Sequence, residues 1–83
     1  MYKTPGMAYI SRKIKTTSRT DMNAFIADSP LKTRDKNFMQ DILEGLSLKE
    51  LQSKYDKSES RIAQWKRSTF EQLFMYEYSQ IRK

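Results

Sequence analysis

The 83-residue sequence contains no cysteine and no histidine, and only two glycines and two prolines. Without cysteine, neither a disulfide framework nor a thiolate metal site can hold the fold. Without histidine, the commonest metal ligand and the commonest general base are missing as well. The carboxylates are scattered, mostly on helical faces beside Lys or Arg, and no P-loop, nucleotide fingerprint or metal-ligand spacing occurs. The chain is therefore read as a non-enzyme that uses no metal and no cofactor. No apolar run approaches the length of a membrane span, and none follows the first basic residues as a secretory signal requires. The expectation is one small soluble domain without membrane contact, whose modest core must supply the stability alone.

What the sequence does contain is positive charge, unevenly placed. Of the net charge of +6, residues 1–20 carry Lys3, Arg12, Lys13, Lys15 and Arg19 with no acid, which leaves 11 bases against 10 acids in residues 21–83. The first segment is polar, includes Pro5-Gly6 and shows no sustained helical period, so residues 1–20 are expected to form a flexible basic N-terminal arm. Residues 21–83 would be the folded domain. In the arm, Arg12, Lys13, Lys15 and Arg19 suit phosphate contact, and Tyr2 and Tyr9 could insert among phosphates or lie loose.

Past the arm, helical segments alternate with short punctuation. In "SRTDMNAFIADSP", Thr20 or Asp21 can cap a helix whose Met22, Phe25 and Ile26 share a face, and Ser29-Pro30 stops it. In "TRDKNFMQDILEG", Thr33 can cap, Phe38, Met39, Ile42, Leu43 and Leu46 recur at helical spacing, and Gly45 suits the left-handed terminus. "SLKE", Ser47 to Glu50, is a capping box, and the helix it opens has Leu48, Leu51 and Tyr55 as its buried edge. After Asp56-Lys57, Ser58 caps a long C-terminal helix without Gly or Pro. The fold class is a small all-α domain of three or four helices.

On a wheel of about 100° per residue, Ile62, Trp65, Thr69 and Leu73 of the long helix form one apolar stripe. Trp65 is accordingly assigned to the core rather than to stacking on unpaired bases. Ser60, Gln64 and Arg67 lie opposite the stripe, flanked by Arg61 and Ser68. Arg and Gln are suited to bidentate contact with guanine and adenine edges, and a helix fits the major groove. Glu71 on that face would repel phosphate and end the DNA-facing segment. Phe70, Phe74 and Ile81 form a second stripe about 100° from the first. Either the Met22, Phe25 and Ile26 helix covers it, or two copies of the chain pack it in a homodimer.

The run "EGLSLKEL", a short turn and "SESRIAQWKRSTFEQL" resembles the helix-turn-helix of the promoter-reading C-terminal domain of sigma factors (region four), and related phage transcriptional regulators. The matching residues are Gly45, Ser47, Glu50, Leu51, Ser58, Arg61, Ile62 and Leu73, over roughly residues 34–75. Gln52 stands where that family usually has Ala, and Asp56-Lys57 where it usually has Gly and an apolar residue. The resemblance implies that the helix from Glu59 enters the major groove of double-stranded DNA. Ser60, Arg61, Gln64 and Arg67 would then read bases, with Ser47, Lys49, Lys57, Ser58, Lys66 and Ser68 on phosphates. The expected function is a transcriptional regulator of phage or mobile-element origin in the cytoplasm of a bacterial host. "I-x-x-W-K", Ile62 to Lys66, is equally similar to phage terminase small subunits and transposases, so a DNA-packaging or recombination role stays open. An adaptor that binds RNA polymerase or a sigma factor is the alternative outside DNA binding.

Overall fold

The computed structural model describes residues 5–81. Every regular element in them is helical: α1 (Pro5–Thr16), α2 (Arg19–Asp28), α3 (Thr33–Glu44), α4 (Leu48–Tyr55) and α5 (Glu59–Ile81). The all-α class matches the expectation, with four helices from Arg19 onward and a fifth, α1, where the arm was expected.

Helix boundaries follow local chemistry. Pro5 occupies the first position of α1, where its missing N–H costs nothing. Ser18, and neither Thr20 nor Asp21, caps α2, its Oγ accepting from the Asp21 amide at 3.1 Å; Ser29 ends the helix before Pro30. Thr33 is the first residue of α3 and not its cap, a position held by Lys32, which supplies no side-chain acceptor. Gly45 ends α3 in the left-handed region at φ 91°. The capping box on α4 is complete: the Glu50 amide donates to Ser47 Oγ at 3.2 Å, and the Ser47 amide donates to Glu50 Oε1 at 2.7 Å. Asp56 ends α4 at φ 53°, a conformation that Asp tolerates better than most residues. Ser58 then accepts from the Arg61 amide at 3.3 Å and opens α5.

The largest correction concerns the N-terminal arm. Residues 5–16 are not flexible chain but a helix docked on α5, and Arg19 and Thr20 already belong to α2. The physical reason is visible in Met7, Ile10 and Ile14, which recur at helical spacing and give α1 an apolar face. Ile10 is fully buried in the main core with Met22, Ile26, Leu31, Met39, Phe70 and Leu73, while Met7 and Ile14 pack against it. Contacts between the two helices advance together, Gly6 with Glu71, Tyr9 with Phe74, then Lys13 with Glu77, so α1 runs parallel to the C-terminal half of α5. Residues 1–4, with Tyr2 and Lys3, lie outside the described residues.

This docking also covers two of the three residues of the expected homodimer face within the chain. Phe70 is 1% exposed inside the main core, and Phe74 is half-buried with its ring edge on Tyr9 at 5.3 Å. Phe25 of α2 meets Tyr76 at 5.7 Å, so α1 and α2 together cover this side of α5 within one chain. Ile81, the third residue of the expected stripe, is 69% exposed and outside that core.

A second, smaller core joins α3, α4 and α5 through Phe38, Leu51 and Ile62, with Tyr55 and Trp65 against it. Leu48, expected on the buried edge of α4, is instead 41% exposed. It sits at the helix start, one turn short of the contact that buries Leu51.

Candidate nucleic-acid interface

The first half of α5 divides cleanly by exposure. Ile62 and Thr69 are buried, and Ser60, Arg61, Gln64, Arg67 and Ser68 are exposed. The four residues expected to read bases thus share one open face of a single helix. Glu71, expected on that face, turns elsewhere: its Oε1 accepts from the Gly6 amide at 3.1 Å, placing a carboxylate at the N-terminus of α1. The carboxylate meets the positive end of that helix dipole. The absence of a side chain on Gly6 permits this approach.

The residues expected on phosphates have varied surroundings. Lys49 is exposed on α4. Ser47 and Ser58 are exposed but committed as caps, and the Ser47 amide is occupied by Glu50. Lys66 is half-buried, its Nζ 5.6 Å from the Phe70 ring centre. Lys57 is half-buried in the turn and lines a hollow of about 310 Å³ that it shares with Arg34, Arg61, Gln64, Trp65 and Ser68. Four of the expected contact residues therefore converge with two, Arg34 and Trp65, that were not assigned to DNA.

Arg34 and Trp65 are held in a stack. The Phe38 ring lies 3.9 Å from the Trp65 ring centre at an interplanar angle of 11°, and the Arg34 guanidinium carbon lies 4.6 Å from the same centre. A phenyl ring at that spacing fills one indole face, so Arg34 covers the other. The indole Nε1–H donates to Asp35 Oδ1 at 2.7 Å, and Tyr55 meets the indole edge-on at 4.9 Å. Trp65 is thus a wall of the small core, as its stripe position predicted, and at its outer rim a platform for Arg34. The available sequence signal was Arg34 one turn before Phe38; it gains meaning only once Phe38 and Trp65 are known to stack.

Behind the interface, α3 and α4 are locked by Asp41. Its Oδ1 accepts from Lys54 Nζ at 2.8 Å and its other oxygen from the Tyr55 hydroxyl. Burial pushes the Asp41 carboxyl up, but the hydrogen bonds from Lys54 and Tyr55 and the Lys54 charge outweigh it and leave the pKa below its ordinary value. Burial first, then the bond to Asp41 and its charge, push the Tyr55 phenol up to about 12.

The expected arm cations do not gather around this site. Lys13 Nζ pairs with Glu77 Oε1 at 2.7 Å, and the Tyr9 hydroxyl donates to the same carboxylate. Burial raises the Glu77 pKa, but these hydrogen bonds and the Lys13 charge bring it below its ordinary value. At about 1.5 Å per residue, Glu77 lies roughly 15 Å beyond Arg67 along the α5 axis. Arg19 pairs with Glu44 at 2.5 Å and donates to the Leu43 carbonyl at 3.3 Å. Arg12 and Lys15 are on α1, with no part in the hollow.

The chain matches no protein-family model, no curated protein and no solved structure. The geometry of the site therefore stands without a homologue beside it. Among the described residues, no group of three or more carboxylates, His or Cys could hold a metal ion, and no helix is long and apolar enough to cross a membrane.

Proposed function

We propose that the chain binds double-stranded DNA as a transcriptional regulator, using α4 and α5 as a helix-turn-helix of the sigma region-four kind. The observation that supports this most is the exposed face of α5. Ser60, Arg61, Gln64 and Arg67 face solvent on a helix anchored from the opposite side by Ile62 and Thr69. A rigid helix that offers Arg and Gln forks to the outside has the donors a major groove accepts, and cations at Lys49, Lys57 and Lys66 flank it. A phage or mobile-element origin, and work in the cytoplasm of a bacterial host, belong to the same proposal.

Selection of bound sequences from a random duplex pool tests it, followed by Arg61→Ala, Gln64→Ala and Arg67→Ala on the selected site. Each substitution should cost about 1 to 3 kcal/mol of binding while the helical signal and unfolding midpoint stay unchanged, because none of the three is buried. Unaltered sequence preference in all three variants would refute base reading and leave a packaging role through backbone contact. Absence of duplex binding at low salt would redirect attention to an RNA polymerase or sigma adaptor.

A further inference from the structure

We infer that the hollow between the start of α3 and the start of α5 seats a phosphodiester of the DNA backbone, with Arg34 as its principal ligand. The inference rests on the DNA-binding function proposed above and adds to it a residue outside both helices of the motif. Arg34, Lys57 and Arg61 bring three cationic side chains to one cavity of about 310 Å³, where Gln64 and Ser68 supply neutral hydrogen-bonding groups. Among the described residues, none of the three cations forms an ion pair with a carboxylate. That distinguishes them from Lys13, Arg19 and Lys54, which are neutralised within the chain.

Arg34 is also pre-ordered in a way an ordinary surface arginine is not. Its guanidinium lies over Trp65, which is fixed from behind by Phe38 and at its Nε1–H by Asp35. Among the described residues the Arg34 N–H groups take part in no ion pair, which leaves the N–H edge of the guanidinium free. That edge is what forks onto two phosphate oxygens. Asp35, whose Oδ1 is held by the indole, does not line the hollow, where the lining charges are all positive. Arg61 and Gln64 form the α5 wall of the hollow, so a phosphate held by Arg34 and Lys57 on the other side lies next to the bases those two side chains would address, and it would set the register of the helix in the groove.

Trp65 is the only tryptophan of the chain, and its emission therefore reports the hollow directly. The experiment titrates wild-type protein, Arg34→Gln and Arg34→Lys with a random-sequence duplex over a range of salt, following duplex anisotropy and Trp65 emission, with inorganic phosphate as a parallel titrant. Wild-type emission should change on binding duplex. Arg34→Gln should lower the magnitude of the slope of log K against log salt by about 0.9, which at about 0.1 M salt corresponds to roughly eightfold weaker binding to every duplex. Arg34→Lys should keep most of the slope but lose part of the affinity and of the emission change, since it keeps the charge without the planar fork. Circular dichroism should be unaltered in both, Arg34 being exposed. Wild-type binding with an Arg34→Gln slope and affinity identical to wild type would overturn the inference and leave the proposed function standing. A wild type that binds no duplex overturns both. If inorganic phosphate changes the emission in an Arg34-dependent way and duplex does not, the hollow is a site for small phosphates and not for the DNA backbone.

Discussion

Gly6 shows how one absent side chain can matter more to a fold than a present one. It is buried in α1, and a Cβ placed there would overlap Glu71 Oε1 and lie 3.0 Å from the Glu71 Cα. In an open helix, Gly→Ala stabilises by about 1 kcal/mol. Here the carboxylate could swing aside, but the α5 backbone cannot, and moving the carboxylate also removes the acceptor for the Gly6 amide. Gly6→Ala should therefore destabilise the protein by about 1 to 3 kcal/mol in chemical denaturation, with the sign opposite to the propensity scale. A stabilised variant would mean that α1 and α5 can separate enough to admit the methyl group.

Between elements, the Asp41 cluster predicts how stability responds to pH. The folded Asp41 pKa is depressed, so its contribution is complete above the ordinary carboxylate range and is lost as pH falls through the lower folded value. Tyr55 acts at the other end. Its folded pKa is raised to about 12, so the folded state holds a proton that the unfolded chain releases from pH about 10, and stability should decline across that interval. Urea unfolding at stepped pH should show Tyr55→Phe flattening the alkaline decline and Asp41→Asn flattening the acid one. An alkaline decline as steep in Tyr55→Phe as in wild type would show that the Tyr55–Asp41 bond does not couple to folding; a shallower limb remains from Tyr9, whose bond to Glu77 also raises its pKa. Because this cluster joins α3 to α4, both variants also test whether the mutual placement of those helices affects the duplex binding proposed for α5.

For the whole molecule, the docking of α1 decides what the N-terminus is for. A detachable arm could be removed at the expense of phosphate contacts alone. A helix that buries Ile10 and covers Phe70 and Phe74 cannot. Deleting residues 1–16 should abolish cooperative unfolding, and Ile10→Ala alone should cost about 2 to 5 kcal/mol. Phe74→Asp should lower the unfolding midpoint while the mass by light scattering stays that of wild type, because the Phe74 ring packs on Tyr9 of the same chain. A wild-type dimer that Phe74→Asp converts to a stable monomer would reverse this assignment. Roughly 15 Å along α5 separates Glu77, where Lys13 is held, from Arg67. Lys13 is thus held away from the exposed Arg61, Gln64 and Arg67 face, even though the sequence displays the N-terminal cations as one basic block.

Much of the local architecture was legible from residue types alone. Gly45, the Ser47–Glu50 box, Ser58 and the Ser29-Pro30 stop stand where their chemistry demanded, and so does the division of α5 into an Ile62 and Thr69 side and an Arg61 and Gln64 side. These features depend on hydrogen bonds and helical spacing within four residues, and neighbouring sequence is sufficient to specify them. The fate of residues 5–16 was different in kind. A helix of 12 residues is marginal by itself in water, so its existence depends on a surface supplied by Phe70, Leu73 and Phe74, far along the chain. The same separation hid the Glu71 cap on α1, the Lys13 pair with Glu77, and the placing of Arg34 on Trp65. Each needs two distant segments to meet at a particular rotation about their axes. Periodicity marks which face of a helix is apolar; only packing determines what that face, and the charges at its edge, will touch.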